Sequence, residues 1–114
     1  IPSYYVQIKK AVERRDLISI NHRLAALLAS YFDVLLAINE VRHPGEKKLL
    51  KFVLDYCSKR PMGFQRQMEA VLHGAATADK VLLDQLDELL DSLDELLAEA
   101  GIDPAQTLLL DKMV

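Results

Sequence analysis

Between Leu17 and Val41 the chain is apolar on almost every side of a helix. Leu17, Ile18, Ile20, Leu24, Leu27, Leu28, Tyr31, Phe32, Val34, Leu35, Leu36, Ile38 and Val41 leave little polar surface. A helix apolar nearly all round needs other helices around it. This segment therefore predicts an all-α fold with helix about 17–41 buried at its centre. Its few polar residues are ordered. At about 100° per residue, Asp33 lies about 20° from His22, and Glu40 falls nearly in line with it. Ala26 and Ala29 share that side, and their size leaves space for a neighbouring helix or a ligand. Ser19 and Ser30 flank the stripe.

The rest of the chain reads as helices of ordinary length. Ser3 is a candidate cap for a first helix at about 4–14, with Tyr4, Tyr5, Ile8, Ala11 and Val12 at helical spacing. Asp16 is a suitable N-cap for the central helix. Pro44 disfavours helical backbone at His43 and suits the first turn of a third helix, about 45–58. A turn at 58–63 leads to a fourth helix at about 64–73. Thr77 or Asp79 opens a fifth helix that runs to Gly101, the expected C-terminal glycine. Its Leu82, Leu86, Leu89, Leu93, Leu96 and Ala100 alternate in steps of 4 and 3, with acids opposite. Asp103-Pro104 opens a last short helix, about 104–112. An up-and-down bundle of five to six helices results. No internal repeat or strand pattern competes with it.

At 114 residues and 51% hydrophobic, the chain suits a single domain over 1–114 with a real core. Cys57 is the sole cysteine, which excludes an internal disulfide and a cysteine metal site. A reducing, cytoplasmic setting is the simplest expectation. No apolar run approaches the roughly 18 residues of a membrane span. Residues 1–76 hold 12 Lys/Arg against 7 Asp/Glu, and residues 77–114 hold 2 against 10. The acidic helix either faces water or neutralises a basic face, here or in a partner.

Three constellations carry candidate chemistry. The stripe of His22, Asp33 and Glu40 either pairs with Arg or Lys of adjacent helices or walls a pocket for a cationic or hydroxylated ligand. It is not a metal site, because its members are two or more turns apart along one helix. The segment His43-Pro44-Gly45-Glu46 is either a well-made corner or a place where backbone approaches a ligand; Glu46 is expected at a helix N-terminus. Arg15 and His22 form an Arg-x6-His spacing that resembles the ribonuclease motif of one class of small helical toxin. Chance gives roughly half a match to such a pattern in a chain of this composition. The acidic leucine helix is also a candidate coiled-coil or dimer seam. Phosphate-binding loops, nucleophile elbows, zinc patterns and aromatic-interleaved basic patches for nucleic acid are absent from the sequence.

The stretch DLISINHRLAALLASYFDVLLAINEVRHPGEKKLL resembles the C-terminal helical domain of a family of nucleotidyltransferase-like proteins, distantly similar to kanamycin nucleotidyltransferase. The likeness rests on Asp16-Leu17, His22, the apolar run through Tyr31-Phe32, Leu35 to Asn39, and His43-Pro44-Gly45-Glu46-Lys47. It covers mainly residues 5–55, about half of the chain. It implies an accessory substrate-binding domain beside a polymerase-β-like catalytic domain. That partner would carry the Gly-Ser and Asp-x-Asp motifs that bind magnesium and nucleotide. Neither motif occurs here, so the resemblance implies a fragment of a longer chain, with no catalytic residue or cofactor of its own. His22, Asp33, Asn39, Glu40, His43 and Lys47 are then expected near the cleft. A homodimer through the exposed docking face is the expected alternative for the domain standing alone.

Overall fold

The computed structural model describes residues 2–102; the expected helix at about 104–112 lies outside them. Among the described residues the chain forms five α-helices and no strand. They are α1 (Pro2–Glu13), α2 (Leu17–Ile38), α3 (Leu49–Tyr56), α4 (Phe64–Gly74) and α5 (Lys80–Glu99). α1 pairs with α2 and α4 with α5, and each pair is joined by a short turn, as in an up-and-down bundle. A hydrogen bond from the Tyr5 hydroxyl to Asp87, 3.2 Å long, ties α1 to α5.

The helix ends follow from a few residues. Asp16 caps α2 by accepting from the Ser19 amide at 3.1 Å, and Asp79 caps α5 by accepting from the Val81 amide at 2.9 Å. Three helices close in the same way, through a residue with left-handed backbone. After α1 that residue is Arg15, after α2 Glu40, and after α5 Gly101. In each case the next amide reaches back to the last turn: Asp16 to Ala11, Val41 to Leu36 and Ile102 to Leu97, at 2.9 to 3.0 Å. This is the Schellman pattern, for which glycine is the usual residue. Only α5 supplies one.

The core is one continuous cluster. α2 contributes Ile20, Leu24, Leu27, Tyr31, Leu35 and Ile38, and α5 contributes Leu82, Leu86, Leu89, Leu93 and Leu97. The leucine seam of α5 is thus consumed inside the bundle. Tyr31 and Phe64 stack at 6.2 Å between centroids, and Phe32 meets both edge-on at 5.6 and 6.2 Å. These rings fasten α2 to α4. Burial of such side chains stabilises by about 1.5–3 kcal/mol each.

Two expectations are corrected. α2 is central but not buried all round. Ile20, Leu24, Leu27, Tyr31, Leu35 and Ile38 lie within an arc of about 80°, whereas His22, Ala25, Ala29 and Asp33 point about 120–180° away from its centre. His22, Ala25, Ala29 and Asp33 are exposed, and so is Ile18 at 84%. The stripe is therefore an outer face. The exposed Leu17 and Ile18 and the half-buried Leu28 and Val41 gave the sequence its all-round character without being enclosed. The second correction concerns length. α2 stops at Ile38, short of the expected end at about 41, because Glu40 turns left-handed at φ 54°. α3 begins at Leu49 rather than near Gly45, since Gly45 and Lys48 also have positive φ, 95° and 56°. Glu46 consequently precedes the helix instead of lying in its first turn.

Candidate functional site

Residues 39–48 connect α2 to α3 and fold back along α2. They leave a groove of about 550 Å³, walled by Ala25, Leu28, Ala29 and Phe32 on one side and His43, Gly45, Glu46 and Leu49 on the other. The floor exists because positions 25, 28, 29 and 32 share one side of the helix, spaced by three or four residues. Two of the four are alanines, which give the concavity its depth. Leu28 and Leu49 are half-buried and Phe32 is buried, so the floor is apolar; His43 and Glu46 supply a polar rim.

Asp33 stands next to the groove and brings one carboxylate oxygen to 4.0 Å from Nε2 of His43. Both side chains are largely in water, where such a pair is worth at most about 1 kcal/mol. The shorter contact is local: the Gly45 amide donates to Nδ1 of His43 at 2.9 Å. An Nδ1 that accepts places the proton of the neutral ring on Nε2, towards Asp33. His43 is thus held through Nδ1, with Nε2 facing Asp33.

The other expected site residues separate. His22 lies one turn before Ala25 on the same outer face and does not line the groove. Glu40 is no longer on the helix and serves the left-handed turn that ends it. Lys47 is exposed in the turn before α3. Asn39 is structural. Its side-chain nitrogen donates to the Leu35 and Lys59 carbonyls at 2.9 and 2.8 Å, and its oxygen accepts from the Lys59 amide at 2.9 Å. Arg60, next in sequence to that clasp, donates to the Leu54 and Cys57 carbonyls and satisfies the end of α3. Sequence reasoning found Ala29 and the 43–46 loop but missed Ala25, Leu28, Phe32 and Leu49 as a floor. For the α2 members the i, i+3, i+4, i+7 spacing of Ala25, Leu28, Ala29 and Phe32 was the available signal.

The reactive side chains elsewhere are muted. Burial pushes the Cys57 thiol up, partly offset by Arg60, so the thiolate is disfavoured. Burial also pushes the Tyr31 phenol far up, and its hydroxyl sits in the core without a partner. Among the described residues no three His, Cys, Asp or Glu side chains gather into a metal-binding group. No hydrogen bond or ion pair joins Arg15 to His22 among the described residues; both are exposed. No helix of the described residues is long and apolar enough to cross a membrane.

Among the described residues, fold and groove together define an all-α arrangement of five helices with a concave face built on α2. No protein-family model, curated protein or solved structure matches the chain.

Proposed function

We propose that this chain is the accessory, substrate-side helical domain of a nucleotidyltransferase-like protein. It works beside a polymerase-β-like catalytic domain that supplies the metal, the nucleotide and the transfer chemistry. One observation carries the reading. The most specific part of the resemblance, His43-Pro44-Gly45-Glu46, forms one wall of a groove whose other wall is the apolar run of α2 that the resemblance also covers.

The groove suits such a role physically. An apolar floor with a few rim groups that fix orientation is the usual make-up of a small-molecule site. Asp33, His43 and Glu46 offer acceptors and one ring N–H at the rim. Ile18, His22, Ala25 and Ala29 continue the same exposed face towards the start of α2, where a second domain can pack closely over small side chains. The α5 seam supports no competing interface, since Leu86 and Leu93 are 0% and 1% exposed within the bundle.

The reading is tested by the residues encoded immediately before Ile1 in the same reading frame. It requires a Gly-Ser segment followed by Asp-x-Asp there. An upstream sequence without that pair of motifs overturns the assignment.

A further inference from the structure

Nδ1 of His43 accepts from the Gly45 amide at 2.9 Å, and Nε2 of the same ring lies 4.0 Å from Asp33 of α2. Only one of these two contacts survives protonation. In the imidazolium both nitrogens carry hydrogen. Nδ1 can then no longer accept, and two N–H donors would face each other at hydrogen-bond distance. The contact to Asp33, in contrast, becomes a full ion pair.

We propose that His43 is a pH-operated latch for the loop that forms the outer wall of the groove. At neutral and higher pH the ring closes a small turn inside the loop, holding Gly45 through Nδ1. On acidification Nδ1 is protonated, the Gly45 amide is released, and the ring is drawn to the carboxylates around it. The carboxylate within 4.0 Å of the ring is that of Asp33, from α2; Glu46, from the loop itself, lines the same groove, and Leu49 of α3 brings no charge to this rim. Gly45 permits the change. Its φ is 95° and no atom lies within 4 Å of where a Cβ would sit, so the released backbone is free to move.

The test is nuclear magnetic resonance on the 15N-labelled chain between about pH 8 and about pH 5, the span in which histidines change charge. Long-range 15N–1H correlations of the His43 ring and the Gly45 amide shift are followed together. The latch requires the Nε2–H tautomer at high pH and an upfield move of the Gly45 amide proton in step with His43. His43→Asn keeps an acceptor for the Gly45 amide but cannot be protonated. It retains the high-pH Gly45 shift and loses the pH step. Three results each overturn the proposal: the Nδ1–H tautomer at high pH, a Gly45 amide that ignores the titration of His43, or an unchanged pH step in His43→Asn.

Discussion

Asn39 and Lys59, twenty residues apart, are joined by a pair of hydrogen bonds in which the Asn39 amide both donates to and accepts from the Lys59 backbone. The same side chain also holds the Leu35 carbonyl in the last turn of α2. One residue thereby fixes where the central helix stops and where the chain returns after α3. Everything between them, including the groove wall at 43–49, hangs from that clasp.

Asn39→Ala removes all three bonds. The Lys59 backbone is partly open to water, which replaces some of them. The expected loss is about 1–2 kcal/mol, the range for a few modest hydrogen bonds. Urea unfolding followed by circular dichroism measures it. The 43–48 amides should also lose protection from hydrogen exchange before those of α5 do.

Glu40 and Gly101 hold the same place in the same helix-ending motif, at φ 54° and φ 76°. Substitutions there should act in opposite directions. Glu40→Gly relieves a left-handed backbone that side chains resist and should stabilise by about 0.5–1 kcal/mol. Gly101→Ala creates the strain and should cost about 1 kcal/mol, since no neighbouring atom would clash with the new Cβ. Thermal unfolding of the two variants checks the signs.

Phe64 stacks on Tyr31 and meets Phe32 edge-on, and it is 3% exposed. Phe64→Ala should cost about 3–5 kcal/mol, the range for deleting a buried ring. That is a large share of the 5–15 kcal/mol that holds an average domain together. Phe64→Leu fills much of the space and should cost far less. Denaturant midpoints at a constant m-value distinguish lost packing from a changed denatured state.

Acid stability divides the carboxylates by sign. Glu88 is held below the usual carboxylate range by the Arg66 guanidinium and Gln67, and Asp16 by its bonds to Ser19 and then by Arg14. A lowered folded-state pKa stabilises above the unfolded value and is lost as pH falls through the folded one. Glu88→Gln should therefore weaken the fold at pH 7 and match the parent chain at about pH 2, below both states' values. Asp94 is the opposite case, pushed up by burial and then by Asp91. Its ionised form costs stability, so Asp94→Asn should raise the unfolding midpoint at pH 7, with the gain shrinking as pH falls. Urea titrations at several pH values measure both trends.

The helical content of this chain was legible because periodicity, caps and breakers agree. Asp16, Asp79, Gly101 and the α5 seam stand where their spacing put them. The length of α2 was not legible, because Glu40 takes a backbone conformation its side chain does not favour. Asn39 stops the helix there through a partner twenty residues away. The orientation of the stripe was misread for a related reason. Leu17 and Ile18 count as apolar in a pattern yet stand in solvent, so they gave no sign that this side of α2 faces outward. The pairing of Asp33 with His43, and the groove behind it, depend on how the 39–48 connection folds back. That path is set by positive φ at Glu40, Gly45 and Lys48, only one of which is a glycine.

Under the proposed function, the groove between α2 and the 43–49 segment is where the acceptor substrate of a nucleotidyltransferase-like protein binds. The most direct measurement is the steady-state kinetics of nucleotidyl transfer by the protein carrying both halves, with Ala29→Arg in the groove and Ala98→Arg on exposed α5 as control. Both alanines are exposed, so neither change should lower the thermal midpoint. Ala29→Arg should reduce kcat/KM for the acceptor at least about tenfold, roughly 1.4 kcal/mol, while the KM for nucleotide and the Ala98→Arg control stay unchanged. An Ala29→Arg protein that turns over its acceptor as the parent does would contradict the account.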